Sequence, residues 1–286
     1  MIITHLIGGL GNQLFQYAIA YDLSLRHKTK VILDISGFDS YKLHNYSLQH
    51  FNIPQNFYLA QRENFPSNLI DKFNQKRINP KKTIQIQESG YAFDKNYIDF
   101  PNNSHLYGYW QSEKYFMSIS GLLLNKLEIK TPSSPENTIL LDKMRGCESI
   151  GVHIRRCDYA PNSHKNQILF SPDLNYYYRC IDFICQRTKN PHFFIFSDDP
   201  KWVQENLIIN HMATFISHND YSKNYEDLRL MSNCQHNIIS NSTFSWWAAW
   251  LNPNINKMIC APKTWFSGSE SLPDTKDLIP EEWSKI

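Results

Sequence analysis

The chain is predicted to fold as two α/β domains of the doubly wound, Rossmann-like kind, and three observations predict it. Residues 2–35 read as strand, glycine turn, helix and strand, the unit from which parallel sheets are wound. A stretch of linker composition, Thr131-Pro132-Ser133-Ser134-Pro135-Glu136-Asn137, falls near the middle. Beyond it, short apolar runs alternate with amphipathic ones almost to the end. At 286 residues there is enough chain for two cores. The expected domains are 1–134 and 135–286, with the tail from about 265 returning to the first.

Ile2 to Ile7 reads as a buried strand and Gly8-Gly9-Leu10-Gly11 as a tight turn. Asn12 to Arg26 reads as a helix with Leu14, Phe15, Ala18, Tyr21, Leu23 and Leu25 on its apolar faces, and Val31 to Ile35 as the next strand. From about residue 37 to 130 the pattern weakens: turn signals stand at Pro54, Pro66, Pro80, Gly90 and Pro101, and an aromatic patch at Tyr107-Gly108-Tyr109-Trp110. After the linker, strands are expected at 149–154, 193–196, 214–216, 237–240 and 258–261, and helices at 173–187, 201–207, 225–232 and 243–251. Ser171-Pro172-Asp173 has the order of an N-cap, a first-turn proline and an acidic residue suited to the helix dipole.

Composition excludes several classes. Lys and Arg number 29 against 27 Asp and Glu, a net charge of +2, and the basic residues are spread along the chain, so neither nucleic acid nor an anionic bilayer is demanded. The six cysteines, at 147, 157, 180, 185, 234 and 260, form no C-x-x-C pair and fit neither a disulfide framework nor a zinc site. The N-terminus lacks the charged and apolar regions of a signal peptide, and the uncharged stretch Asn237–Asn256 carries Asn, Ser and Pro, unlike a lipid-spanning helix. A reduced, cytoplasmic protein is expected.

In doubly wound sheets ligands sit at the carboxyl ends of the strands, and three polar clusters fall there. The first is His153-Ile154-Arg155-Arg156-Cys157-Asp158, where a strand runs into two arginines. A guanidinium fork fits two phosphate oxygens at once, although Arg156 and Asp158 could equally form a surface ion pair. The second is Ser197-Asp198-Asp199. One of these carboxylates is expected to cap the helix after Pro200, while a carboxylate can also accept two parallel hydrogen bonds from the guanine edge. The third, Ser240 to Ser245, opens a helix carrying Trp246, Trp247 and Trp250; its hydroxyls suit an N-cap, and its free N–H groups suit a phosphate. The tryptophans are expected in the core. No Asp-x-Asp occurs in the chain, so no metal is expected on a nucleotide diphosphate. Gly9-Leu10-Gly11 is a weak match to the dinucleotide fingerprint: Asp34 stands near the ribose position, but Leu14 replaces the third glycine. Asn12 and Gln13 at the helix start are expected to present amides to a cleft, Asn12 otherwise serving as the cap.

Together these pieces resemble the glycosyltransferase family 11 fucosyltransferases, specifically bacterial α-1,2-fucosyltransferases. The motifs that carry the resemblance are Gly8-Gly9-Leu10-Gly11-Asn12-Gln13-Leu14-Phe15-Gln16-Tyr17-Ala18, Gly108-Tyr109-Trp110-Gln111-Ser112, Gly151 to Tyr159, Phe196-Ser197-Asp198-Asp199 and Ser240 to Trp250. The resemblance spans essentially the whole length, with Cys157 a small departure from the residues common at its position. It implies a GT-B arrangement, two Rossmann-like domains facing a cleft, the C-terminal one binding GDP-β-L-fucose and the N-terminal one the acceptor. By motif matching, Arg155 would hold the β-phosphate with Arg156 beside it, His153 and Asp199 would contact the nucleoside, and Ser242, Thr243 and Ser245 would support the diphosphate. Asn12 would lie beside the transferred sugar, and Asp158 is the nominal base. No cofactor or metal is implied. The expected reaction is inverting transfer of L-fucose to the 2-hydroxyl of a terminal β-galactoside, in a glycan that is plausibly lipid-linked, with no nucleic acid and at most peripheral membrane association. Another linkage or acceptor, a nicotinamide-dependent oxidoreductase using the glycine loop, and a non-catalytic glycan-binding protein using the aromatics are the alternatives.

Overall fold

The computed structural model describes residues 1–39, 43–58, 83–156, 172–266 and 273–286. The chain divides into two compact units, Met1–Thr131 with Asp274–Leu278, and Pro132–Pro273 with Ile279–Ile286. Both are α/β units built on parallel sheets.

The first unit opens with β1 (Ile2–His5), α1 (Leu10–Arg26) and β2 (Val31–Asp34), followed by β3 (Phe57–Tyr58), β4 (Ile84–Gln87) and β5 (Ser104–Tyr107). Its sheet runs β3-β2-β1-β5-β4 with every pairing parallel. The helix starts two residues earlier than the expected Asn12, with Gly9 at the N-cap position, so Asn12 is its third residue and caps nothing. The turn needs glycine at one place: Gly8 has φ +84°, and a Cβ there would lie 2.6 Å from Asn12 Nδ2. Two buried glutamines on α1 then tie the unit together. Gln13 Nε2 donates to the Gly8 and Asn45 carbonyls while its Oε1 accepts from Ser47 N. Gln16 Nε2 donates to Gly108 O, and its Oε1 accepts from Ile7 N. Gln13 is therefore a structural residue and presents no amide to a cleft, contrary to expectation. A short helix, α2 (Ser120–Lys126), follows.

The second unit begins inside the expected linker. Pro135 opens α3 (Pro135–Arg145), capped by Ser134 Oγ, which accepts from Asn137 N at 3.3 Å. The prolines and serines that read as linker are a cap and a first-turn proline. Then come β6 (Glu148–Ile154), α4 (Leu174–Cys185), β7 (Pro191–Ser197), α5 (Pro200–Asn206), β8 (Met212–Ile216), α6 (Asn224–Ser232), β9 (His236–Ile238), α7 (Thr243–Leu251), β10 (Ile259–Ala261) and β11 (Ser284–Lys285). The cap of α4 is Asp173, whose carboxylate accepts from Tyr176 N at 3.0 Å; Ser171 lies outside the described residues.

This sheet runs β11-β10-β9-β6-β7-β8, all parallel. Counted from β6, that is the doubly wound order in which the chain winds outward one way and then returns to wind the other way, leaving a switch point between β6 and β9. β6 and β7 are buried on both faces, as the central strands of a covered parallel sheet must be. Ile150, Val152, Phe193 and Ile238 pack with Tyr177, Cys180 and Ile184 of α4, each stabilising by roughly 1.5–3 kcal/mol for the larger apolar side chains. Tyr176 reaches through this core and donates its hydroxyl to Ile239 O at 2.7 Å. Trp246 and Trp247 of α7 are fully buried, as expected. The five described cysteines are free. Among the described residues no helix is long and apolar enough to cross a membrane.

Candidate functional site

The polar clusters of the second unit meet at its switch point. The parallel register sets Ile154 opposite Ser197, so Arg155 and Arg156, leaving β6, emerge beside Asp198 and Asp199, leaving β7. Asp198 Oδ1 accepts from the Arg156 backbone N at 2.7 Å, and its Oδ2 lies 3.8 Å from Arg155 Nε. The Arg156 guanidinium lies 3.3 Å from the centre of the Trp202 ring and 3.7 Å from Asp199 Oδ2. Both arginine side chains stay part-exposed, at 23% and 28%, so their donors can still meet an incoming anion.

Of the two carboxylates expected to supply the cap of α5, Asp199 does so, with Oδ1 accepting from Trp202 N at 3.2 Å. Each carboxylate oxygen has a second lone pair, so the cap leaves acceptor capacity for a nucleobase edge.

On the other side of β6, His153 Nδ1 pairs with Ser240 Oγ at 2.9 Å, and its ring lies 5.4 Å from that of Phe244. Burial, with the Arg155 charge adding to it, pushes the His153 imidazole down to about 3, so this ring is neutral at physiological pH. The start of α7 differs from the expected cap. Ser242 holds the N-cap position with extended backbone but makes no side-chain cap bond. The buried Ser245 hydroxyl turns inward and donates to Ser242 O at 3.2 Å. The first turn of α7 thus keeps N–H groups that no side chain caps, beside Thr243, and a helix start of that kind favours an anion.

His153, Arg155, Arg156, Asp199, Ser242, Thr243 and Ser245 accordingly share one rim of one sheet. Asn12 belongs to the first unit, where its Oδ1 accepts from Gln111 Nε2 at 3.0 Å. Asp158 lies outside the described residues.

The first sheet carries a polar group that sequence reasoning missed. His5 ends β1, Asp34 ends β2 and His105 is the second residue of β5, on three adjacent strands; His5 Nδ1 and His105 Nε2 lie 3.2 and 3.0 Å from the same oxygen, Asp34 Oδ2. Asp34 Oδ1 accepts from Ser36 N at 3.1 Å and Ser36 Oγ at 2.6 Å, and Tyr107 OH pairs with His105 Nδ1 at 3.1 Å. Burial would push the Asp34 carboxyl up, but the bonds from His105, His5 and Ser36 outweigh it and hold the group well below the usual carboxylate range. Asp34 is therefore an occupied carboxylate, not one free for a ribose. Among the described residues this is the one grouping tight enough to suggest a cation, and its hydrogen bonds are accounted for without one.

Comparison with known proteins adds the following. The model of glycosyl transferase family 11 matches residues 1–286. An α-1,2-colitosyltransferase of Escherichia coli is 34% identical over 300 residues, covering 100% of this chain and 99% of that protein. The O-antigen biosynthesis glycosyltransferase WbnK of Escherichia coli is 32% identical, covering 95% of this chain and 97% of its own. Galactoside α-(1,2)-fucosyltransferase 1 of Mus musculus is 33% identical over 106 residues, 36% of this chain and 27% of that one.

Proposed function

Because this chain belongs to glycosyl transferase family 11, we propose that it transfers L-fucose from GDP-β-L-fucose to the 2-hydroxyl of a terminal β-galactoside. The observation that carries the reading is the rim at the β6 carboxyl end: two part-exposed arginines on one side and a helix start without a side-chain cap on the other. That is a cradle for a diphosphate.

A β-linked donor giving an α-linked product reacts by inversion. The acceptor oxygen bonds to C1 as the bond from C1 to the diphosphate oxygen breaks, and the electron pair leaves with GDP. Negative charge grows on that leaving group, so donors already aimed at it stabilise the transition state more than the ground state. Arg155 holds the β-phosphate, Arg156 is fixed over Trp202 beside it, and Thr243 with the α7 N–H groups completes the cradle. His153 and Asp199 take the nucleoside, the neutral imidazole adding no charge of its own. The lack of any Asp-x-Asp motif and this fixed positive rim together support chemistry without a metal ion. A lipid-linked glycan at the cytoplasmic face of the membrane fits such an enzyme as natural acceptor.

One observation favours a second donor. One relative similar over the whole chain is named for colitose, which is L-fucose lacking the 3-hydroxyl. A colitosyl donor carrying the same GDP leaving group would be served by the same rim. The test is GDP release and product analysis with GDP-L-fucose, GDP-L-colitose, GDP-mannose and a uridine diphosphate sugar, each with and without β-galactosides. Transfer of fucose or colitose to O2 of galactose is expected. Transfer of neither sugar to any β-galactoside refutes the reading.

A further inference from the structure

We propose that Glu88 is a positioning residue of the transfer: its carboxylate fixes the turn after β5, so that Gln111 holds the Asn12 side chain with its amide N–H groups turned to an oxygen of a bound sugar. This rests on the function proposed above.

The first sheet has its own switch point. Its order, β3-β2-β1-β5-β4, places the reversal between β1 and β5, where the rule for open α/β sheets puts a ligand. Asn12, in the first turn of α1, follows the carboxyl end of β1, and the turn at 108–112 follows the carboxyl end of β5. Glu88 comes directly after β4, and its N–H donates to Tyr107 O at 2.8 Å, which sets its side chain beside that turn.

The turn is held in a conformation it would not take by itself. Trp110 has φ +57°, a left-handed backbone rare for a bulky side chain, and its indole Nε1 is buried without a hydrogen-bond partner among the described residues. Two sets of contacts impose this. The Glu88 carboxylate accepts from two consecutive backbone N–H groups, Oε2 from Tyr109 N at 2.6 Å and Oε1 from Trp110 N at 2.8 Å. The buried Trp110 ring packs edge-on against Tyr115 at 5.6 Å and Phe100 at 6.0 Å. Gly108 makes room for the carboxylate, since a Cβ there would lie 2.6 Å from Glu88 Oε2. A strained backbone persists only where its surroundings over-determine it, and such places cluster at ligand sites.

The consequence falls on Asn12. The left-handed residue reverses the chain, with Ser112 N donating to Trp110 O at 2.8 Å, and the buried Gln111 side chain returns to α1, where Nε2 donates to Asn12 Oδ1 at 3.0 Å. The amide oxygen of Asn12 is thereby occupied and its nitrogen is not. Asn12 Nδ2 has no hydrogen-bond partner among the described residues, and the residue is part-exposed. An amide fixed by its oxygen and open at its nitrogen is an aimed donor, and the hydroxyl, ring and glycosidic oxygens of a sugar are acceptors that suit it. Glu88 turns both oxygens to the backbone, so it acts through the turn and through Gln111.

Steady-state kinetics of the full-length protein test the assignment, using Glu88→Gln, Glu88→Asp, Gln111→Leu and the double variant Glu88→Gln/Gln111→Leu. Glu88→Gln keeps the size but turns an amide NH2 towards a backbone N–H; Glu88→Asp keeps the charge but falls one methylene short of the two N–H groups. Each is expected to lower kcat/KM for transfer by ~10-fold or more, at unchanged GDP affinity, because the Asn12 amide is no longer aimed. Gln111→Leu is expected to do the same, and the double variant to lose no more than Gln111→Leu alone, since both act through one contact. A raised acceptor KM assigns the sugar oxygen to the acceptor glycan, and a lowered kcat at unchanged acceptor KM assigns it to the transferred sugar. Wild-type kcat/KM in both Glu88 variants overturns the proposal. So does a double variant whose loss is the product of the two single losses, or a loss matched by an equal loss of GDP affinity, either of which marks a merely structural carboxylate. A wild type that transfers to no acceptor overturns the function itself, and the positioning role with it.

Discussion

Substituting Gly8 by alanine tests the turn that precedes α1 and the residue it leans on. Gly8 has φ +84°, a conformation that costs an L-residue about 1–2 kcal/mol. The new Cβ would also sit 2.6 Å from Asn12 Nδ2 and 3.3 Å from Asn12 Cβ and Cγ, so the Asn12 side chain must move. Moving it forfeits the bond from Gln111 Nε2 to Asn12 Oδ1, worth ~1 kcal/mol. The expected destabilisation is therefore about 2–3 kcal/mol in urea unfolding. If Asn12 lies beside the transferred sugar, kcat should fall by ~10-fold or more under conditions where the variant is fully folded. Gly9→Ala is the control: its φ is −70°, and its Cβ would meet nothing nearer than His44 Cε1 at 3.4 Å, an ordinary contact. Gly8→Ala matching Gly9→Ala in both stability and turnover would refute the reasoning.

Arg155→Lys keeps the charge beside Asp198 but loses the fork, and turnover is expected to fall at least ~100-fold, the scale of losing one transition-state donor; near-normal kcat would remove Arg155 from the mechanism. Asp199→Asn should still cap α5, since asparagine caps as well as aspartate, yet weaken GDP by ~10-fold or more and narrow the preference for GDP over ADP. Calorimetric titration of both nucleotides decides it, an unchanged ratio moving base recognition elsewhere. Asp227, which accepts from Asn219 Nδ2 at 2.8 Å, is pushed up by burial to about 7 from an ordinary 3.8. A folded-state value above the unfolded one means the native protein holds the proton more tightly, so this group's contribution to stability is present at low pH and is lost as pH rises towards 7. Asp227→Asn should therefore unfold at higher urea than wild type at pH 8 and lose that advantage at pH 4.

Much of this architecture was legible locally. The β1-α1-β2 opening follows from one apolar run, one glycine turn and one helical period, and the Asp199 cap from its place before Pro200. Ser134-Pro135-Glu136 was misread because cap and first-turn residues have the composition of a linker; the order cap, proline, acid was the signal available. The pairing order was not legible, since nothing near β6 says that β9 returns to its free edge. The same limit hid the His5 group. Its members are 29 and 71 residues from Asp34, and the β1–β2 and β1–β5 registers, His5 opposite Asp34 and Ile3 opposite His105, bring them together. Polar residues ending two strands and one inside a third were visible, but each looked ordinary by itself.

The two sheet orders also govern the chain during synthesis. β1 can pair with β2 as soon as α1 has been made, but its other edge waits for β5 at Ser104–Tyr107. β6 pairs early with β7, yet its second edge stays open until β9 at His236–Ile238 has emerged. In both units the strand left half-paired for longest is the central one, whose side chains are made for burial. An unpaired apolar strand edge is a template for another chain, so nascent copies crowded on one message face their greatest hazard of mispairing in those two intervals. Slower elongation or chaperone capture at those points, rather than any change to the finished fold, would then raise the yield of native protein.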